Sequence, residues 1–170
     1  AIGQNALFNN TTAAYNIGIG RDALEANETG TQNIAIGYDA LTTATSVNYS
    51  LAIGLNSQKN NQSGDSNVSL GWQTMKDTTS GSSNTAVGNE AMEKNTTGFS
   101  NVSVGRTALY LNTTGNYNTA VGQSSLKANT SGSNNTAVGR VALFANTTAS
   151  NNTAVGYGAL QDATTGHENT

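Results

Sequence analysis

The strongest constraint on this chain is a five-residue phrase that returns at a fixed interval. NTAVG begins at Asn84, Asn118, Asn135 and Asn152, and looser copies such as NIAIG and NVSVG fill the earlier intervals. A glycine closes every copy and recurs every 17 residues, at Gly3, Gly20, Gly37, Gly54, Gly71, Gly88, Gly105, Gly122, Gly139 and Gly156. A fixed period indicates a stacked repeat architecture, in which each unit packs against two equivalent neighbours.

The same period accounts for the whole chain. Ten repeats of 17 residues fill all 170, so residues 1–170 are predicted to be a single repeat array without a linker or a second domain. Natural solenoids normally carry atypical capping repeats, and neither end of this array has one. We therefore expect the array to be a segment of a longer fibre.

Composition argues against several classes of partner. The chain has 7 basic and 10 acidic residues and a formal net charge of −3, which gives no basic footprint for nucleic acid or anionic membrane. No stretch resembles a membrane span or a signal peptide.

Proline is absent, as expected where a backbone ladder needs every N–H, and the absence of cysteine removes disulfides as a source of stability.

We number the columns of the repeat from the Asn of NTAVG, which is column one. Column four is Ile, Leu or Val in all ten copies, and column two is aliphatic or Thr. Alternate residues share one face of a strand, so these two columns predict a β-strand whose aliphatic ladder points inward, with an Asn ladder beside it. Column three holds only Ala, Ser or Gly, so the opposite face is expected to meet something very close.

The second half of the repeat is less regular. Column nine is Leu or Met in every copy except at Gln58. Columns six to eleven fit either a second short strand or a short helical turn, and we expect the strand because one helical turn has a costly nucleus. Columns twelve to fifteen, as in Asn95 to Gly98, fit a turn, and the Gly of NTAVG is expected to mark the other corner.

Together these columns predict an all-β fold. The expected architecture is a parallel β-solenoid (β-roll) of ten 17-residue coils, possibly with a short helical turn in each coil. At roughly 4.8 Å per coil, ten coils make a rod of roughly 48 Å. The core is expected to hold about three sizeable side chains per coil, which is marginal for a single rod without disulfides. Small residues in columns three and eight would allow close packing against other chains.

The phrase NTAVGRVALFANTTASNNTAVG, from Asn135 onward, resembles the repeats of tail-fibre-like proteins of phages and bacteria. Ala35-Ile36-Gly37 and Ala52-Ile53-Gly54 also look like the head repeat of trimeric autotransporter adhesins, although that repeat is usually shorter. The resemblance covers the whole chain and implies a spacer or an adhesive shaft, assembled as a trimer, that catalyses no reaction. We therefore predict a structural segment of an extracellular, cell-surface or virion fibre.

Few side chains offer chemistry, and each has a simple structural role available. His167 is the single histidine and lies in a turn column, and one histidine without cysteine argues against a zinc site. Asp22 and Glu25 are spaced like an acid–base pair, but such a pair needs a cleft that separates two pKa values. Charge on a solvated flank explains them, and the same flank carries Asp39, Asp77, Glu90, Glu93 and Asp162.

Calcium at Asp65 or Asp77 and a phosphate loop at Gly18 and Gly20 are further hypotheses. No repeated Gly-Asp phrase supports calcium, and no GxxxxGK motif follows the glycines. We therefore predict no catalytic residue, no cofactor-binding residue and no metal ligand, and we do not expect an enzyme.

Three surface features leave binding and modification open. Column fourteen is Thr or Ser in all ten copies, which makes an ice-binding solenoid with a Thr/Ser ladder the alternative function, although adjacent columns thirteen and fourteen cannot both face one plane. Exposed aromatics could stack on host-surface glycans, and packing between chains would explain them equally: Tyr38, Trp72 and Tyr157 in column six, Phe8, Tyr110 and Phe144 in column ten, Tyr15, Tyr49 and Tyr117 in column seventeen. N-x-Ser/Thr sequences in the predicted turn are candidate glycosylation sites, at Asn10, Asn95, Asn112, Asn129 and Asn146.

Overall fold

The structure, a computed structural model, describes residues 1–169 as a β-solenoid built around one parallel sheet. Each strand pairs with the next along the chain in a register of one repeat, as Ile17 pairs with Ile34, and Ile2 adds a bridge to Ile19. The predicted all-β solenoid with 17-residue coils is confirmed. The nine strands are β1 Ile17–Ile19, β2 Ile34–Ile36, β3 Leu51–Ile53, β4 Val68–Leu70, β5 Thr85–Val87, β6 Val102–Val104, β7 Thr119–Val121, β8 Thr136–Val138 and β9 Thr153–Val155.

The strand phase is the reverse of the one predicted. Column three is buried in every strand, whereas columns two and four are half-buried or exposed, as Thr119, Ala120 and Val121 illustrate in β7. The aliphatic ladder therefore faces outward, and the small residues line the interior. Column three is small because it packs against the opposite wall of its own coil: a Cβ added at Gly18 would lie 3.1 Å from Leu7 Cγ. Columns three and eight are thus unavailable for packing against other chains.

The hydrophobic core is thinner than predicted. Each coil contributes one long side chain, the Leu or Met of column nine, between the small residues of columns three and eight, such as Leu109 beside Ala108 and Ala120. Gln58 replaces that long residue in the fourth copy and is fully buried. The core accordingly divides into two clusters, one ending at Ala52 and the other beginning at Met75.

Columns six to eleven form neither the second strand nor a helical turn, so both expectations are wrong. Successive turns close the coil instead, through hydrogen bonds such as Ala23 N–H to Gly20 O, Glu25 N–H to Asp22 O and Asn27 N–H to Leu24 O. Columns seven and nine adopt positive φ at each turn, for example 53° at Leu24. The described residues form no helix, and therefore no helix that could cross a membrane.

Two asparagine ladders run along the interior. In column one, Asn118 N–H donates to Asn101 Oδ1 at 2.9 Å and the Asn118 Nδ2 donates to Gly132 O at 2.8 Å. In column twelve, Asn112 donates through its Nδ2 to Asn95 Oδ1 at 2.9 Å, and its Oδ1 accepts from Asn129 Nδ2 at 2.8 Å. The predicted Asn ladder is confirmed, and the second ladder satisfies the polar backbone of the turn that follows it.

The Gly of NTAVG marks a corner, as predicted, and two independent constraints require it. Gly122 has φ of 127°, which L side chains rarely adopt. A Cβ at the same position would also lie 2.6 Å from the carbonyl carbon of Gly139 in the next coil. Backbones of neighbouring coils therefore approach too closely here for any side chain, which explains why the column does not vary.

Candidate interaction surface

The most distinctive surface of the molecule is a long apolar strip, formed by the outward sheet face of columns two and four with columns seventeen and six along its two edges. The strip holds all the exposed large hydrophobic side chains of the described residues except Phe8, Phe99 and Leu111. Its exposed members are Ile2, Tyr15, Ile17, Ile19, Tyr38, Tyr49, Leu55, Leu70, Trp72, Val102, Val104, Tyr117, Val155 and Tyr157. In the coils that begin at Asn84, Asn118 and Asn135, the outward Val residues are half-buried. Isolated exposed apolar residues are ordinary on proteins, but a row that recurs in most coils along one face is not.

Aromatic and cationic side chains order the edges of the apolar strip. Along column six, the Arg21 guanidinium lies 4.3 Å from the centroid of the Tyr38 ring, and Arg140 lies 5.6 Å from that of Tyr157. At the column-seventeen edge, Tyr117 packs edge-to-face on Phe99 with ring centroids 5.1 Å apart. These contacts between neighbouring coils restrict the exposed rings, so the edges present an ordered surface.

Charge collects on the other side of the corner glycine. Columns one to four contain no Asp, Glu, Lys, Arg or His in any copy. The densest cluster lies in columns ten and eleven, where Lys94 Nζ is 2.8 Å from Glu93 Oε1 and 2.9 Å from Asp77 Oδ2. Hydrogen bonds to Glu93 first, and to Asp77 second, raise the pKa of Lys94 above its usual range. Its contribution to stability is fully present below the unfolded pKa of about 10.4 and is lost only as pH rises through the raised value.

The phenol of Tyr110 belongs to the same cluster. Burial raises the pKa of Tyr110, and the negative charge of Glu93 raises it further. Both shifts leave the Lys94 ammonium and the Tyr110 phenol protonated at physiological pH. In this cluster Glu93 is buried and Lys94 is half-exposed above it.

The residues singled out for chemistry remain scattered. His167 is exposed, and its Nδ1 accepts a hydrogen bond from the Ser150 backbone N–H, which is a turn role. Asp22 accepts from Asn5 Nδ2 and pairs with Arg21, and no hydrogen bond joins it to the side chain of Glu25.

Asp65 and Asp77, the residues considered as calcium ligands, already bind neighbouring protein groups. Asp65 Oδ1 accepts from the Asn48 N–H at 2.7 Å, and Asp77 pairs with Lys94 and Asn60. Within residues 1–169, no three His, Cys, Asp or Glu side chains are grouped so that they could hold a metal ion. Gly18 lies in β1, with its position facing the core.

The asparagines proposed for glycosylation point into the molecule. Asn95, Asn112, Asn129 and Asn146 are fully buried, and each Nδ2, the atom that would carry a glycan, donates to a turn carbonyl. Asn10 is half-buried and donates in the same way to Ala13 O. The structure therefore does not favour these Asn residues as glycosylation sites, because each amide closes its turn from inside.

Column fourteen is the exposed column of that turn, as the predicted Thr/Ser ladder requires. All ten of its hydroxyl-bearing residues are exposed: Thr12, Thr29, Ser46, Ser63, Ser80, Thr97, Thr114, Ser131, Thr148 and Thr165. The neighbouring Thr of column thirteen instead donates its hydroxyl to the next coil, as Thr113 Oγ1 does to Thr130 O. The exposed hydroxyls therefore form one file rather than two.

A shallow depression near the beginning of the chain offers no catalytic arrangement. It is lined by Phe8, Asn9, Thr11, Thr12, Glu28 and Thr29. Glu28 is the one carboxylate among these residues, and the other polar groups are hydroxyls and an amide.

Comparison with known proteins adds no relative: no protein-family model, no curated protein and no solved structure matches the chain. The geometry described above therefore carries the functional argument. The apolar strip is the feature that sequence reasoning missed. Columns one to four carry no charged residue, which marks them as an apolar face. That pattern does not say whether the face is buried or outward, because both have the same sequence.

Proposed function

We propose that this array is the shaft of an extracellular, cell-surface or virion fibre, where it acts as a spacer between that surface and another part of the fibre. The observation that supports the proposal most strongly is the in-register parallel sheet, in which nine strands stack in chain order without a break. Backbone and Asn ladders along the axis oppose bending and extension of such a rod.

The uniformity of the coils supports the same role. Each coil repeats the positions of its neighbours, and the deviating residues Gln58, Val47 and His167 lie in separate coils. A binding pocket for a small molecule needs convergent groups in a concave place, and a repeated convex surface supplies length instead. We propose no reaction for the array.

We propose further that the working form is a homo-oligomer, with three chains the expected number. One long side chain per coil is a small core for a chain without disulfides, so association is a natural source of added stability. If the shaft is also adhesive, aromatic side chains such as Tyr49, which is exposed, are the proposed contacts for host-surface glycans. Such contacts would be weak per coil and multivalent along the rod.

Small-angle scattering and negative-stain images of the purified chain test the shaft function. We expect a rod whose length increases by about 4.8 Å per coil, hence roughly 48 Å for ten coils, with a constant cross-section. A compact particle of equal axes would contradict the proposal, as would turnover of any substrate by the purified chain.

The exposed hydroxyl file of column fourteen is the observation that keeps ice binding as a second candidate. Thermal hysteresis of the purified chain would support it. The control is Thr97→Lys together with Thr114→Lys, which interrupts the file in two coils. A chain that shows no hysteresis at micromolar concentration is not an ice-binding protein, and the single file makes this the outcome that we expect.

A further inference from the structure

We infer that the apolar strip is the surface through which copies of this chain pack against one another, side by side along their lengths. This inference deepens the proposed shaft function by assigning the self-association of the fibre to a defined face. The sequence predicted contacts between chains at columns three and eight, but the structure places both columns inside each coil. Columns two and four and their aromatic edges are the outward surface that can make such contacts instead.

The chemistry of the apolar strip fits a dry protein contact. Columns two and four are both aliphatic in five of the nine strands, and the other four strands carry Thr in column two and Val in column four. Tyr, Trp and Arg, the residues enriched at protein interfaces, stand along its edges, as Tyr117, Trp72 and Arg140 do. The sheet face itself carries no charge that would have to be desolvated.

The repeat spacing of the apolar strip identifies the partner as a second copy. Its side chains recur once per coil, at the strand separation of roughly 4.8 Å, through every paired strand. Another surface can interdigitate with all of these rows only if it has the same spacing. A second copy of this chain has the same spacing because it has the same repeat, whereas an irregular globular partner would match a few rows at most.

The area of the apolar strip is sufficient for a stable contact. The seven residues from column seventeen, round the corner glycine, to column six have a contour length of roughly 20 Å, and ten coils span roughly 43 Å from first to last row. The resulting contour area of roughly 850 Å² is an upper bound for one copy and is close to the roughly 800 Å² that each partner contributes to a standard protein interface. Because the area increases with each coil, a long array would associate more tightly than a short one.

The single tryptophan provides a probe in the unmodified chain. Trp72 lies at the edge of the apolar strip and is 43% exposed. We expect its fluorescence emission to shift to shorter wavelength as protein concentration increases. Over the same range, light scattering should show the mass increasing from that of one 17.4 kDa chain to a small multiple of it.

Paired lysine substitutions then locate the contact. Leu70→Lys with Val104→Lys puts two cations on strip positions that are 45% and 37% exposed, so a single chain should tolerate them. We expect this variant to remain at the mass of one chain, with dissociation at least tenfold easier than in the unmodified protein. The matched control is Ser80→Lys with Thr114→Lys, which adds the same charge in the same two coils on the exposed turn and should associate as the unmodified chain does.

Circular dichroism of each variant verifies that the sheet has formed, and the Trp72 measurement tests the inference without any substitution. A wild-type chain that stays monomeric at high concentration with unshifted Trp72 emission would overturn the inference and leave the apolar strip to a different partner. Association of the Leu70→Lys, Val104→Lys variant at wild-type affinity would also overturn it. A monomeric chain that still scatters as a rod would leave the proposed shaft function standing.

Discussion

At the scale of single residues, the interior of each coil selects side chains by size before polarity. Ala120 in the middle of β7 is fully buried, while its neighbours Thr119 and Val121 face outward. The space between the sheet and the opposite wall admits a side chain no larger than that of Ser, as at Ser103. A small residue in column three is therefore a core residue, and a large one in column two or four is a surface residue.

Aspartate substitutions at adjacent positions test this assignment. Ala120→Asp buries an unpaired charge and should lower the free energy of unfolding by several kcal/mol, on the order of 3. Val121→Asp places the same charge at the outward face and should cost about 1 kcal/mol in a single chain. Urea unfolding at low protein concentration, where chains are separate, provides the comparison. Equal losses in the two variants would contradict the strand phase of the structure.

Buried asparagines contribute through the continuity of their ladder. Asn27 Oδ1 and Asn146 Oδ1 have no hydrogen-bond partner, and in both cases the next coil carries alanine in column twelve, at Ala44 and Ala163. Each orphan oxygen thus marks a place where the ladder stops. A buried polar atom without a partner costs about 1–3 kcal/mol, so these breaks are local weak points.

Removing an asparagine from the middle of the ladder should reproduce that cost. Asn112→Ala deprives Asn95 Oδ1 and Gly115 O of a donor and Asn129 Nδ2 of an acceptor. We expect a loss of roughly 2 kcal/mol in unfolding free energy, measured with denaturant. Thr114→Ala in the same turn removes an exposed hydroxyl and serves as the control, with a change within about 0.5 kcal/mol. If both variants unfold like the parent, the ladder has no net effect on stability.

At the scale of the coil, closing the interior requires unfavourable backbone conformations in the turn segment. Leu109 in column nine has φ of 51°, a region that costs an L-residue roughly 1–2 kcal/mol. The same residue is fully buried, which stabilises it by roughly 1.5–3 kcal/mol. Burial therefore offsets the strain, and the long side chain must occupy this position because it is the one that reaches the axis of the coil.

The fourth coil shows what happens when that side chain is polar. Gln58 Nε2 donates to Leu51 O at 3.1 Å and to Ser69 Oγ at 2.8 Å, and its Oε1 accepts from Asn61 Nδ2 at 3.1 Å. The network is satisfied, so the coil remains formed. It nevertheless separates the two hydrophobic clusters of the core.

Gln58→Leu should join the two clusters. Ser69 keeps its contacts with Ser57 and Leu51, and Asn61 still donates to Gly64 O, so the substitution leaves no buried group without a partner. We expect the unfolding free energy to increase by about 1–2 kcal/mol, with slower amide exchange in the neighbouring coils. A decrease of more than about 1 kcal/mol would mean that the hydrogen bonds of Gln58 outweigh the burial that leucine adds.

At the scale of the whole molecule, stability is distributed along one dimension. Among the described strands, each contacts only those immediately before and after it. A perturbation in one coil can therefore reach distant coils only through the intervening interfaces, as in other repeat arrays.

Hydrogen exchange of the Ala120→Asp variant tests this one-dimensional character. Amides of β6 to β8, Val102 to Val138, should lose protection, while those of β1 to β3, Ile17 to Ile53, should exchange as in the parent. Loss of protection in all strands together would show that the array unfolds as one cooperative unit.

Several features of this fold followed from repetition in the sequence. The 17-residue period specified the coil, and the unvarying glycine specified a corner that no side chain can occupy. Stacking of identical columns predicted the parallel in-register sheet and the Asn ladder, because equivalent residues in adjacent coils must meet. None of these inferences required knowledge of which side of the strand was inside.

The sequence alone determined the period, the parallel stacking, the ladder and the corner of this protein, and the tertiary structure decided which face of the strand became the core. A three-residue strand such as Thr119–Val121 alternates in either phase, so hydrophobicity favoured the larger side chains for the interior. Closing a coil with 17 residues leaves room for one long side chain, and column nine fills it. The aliphatic columns two and four then face outward because space in the closed coil, which no local pattern encodes, outweighs the preference of their side chains for burial.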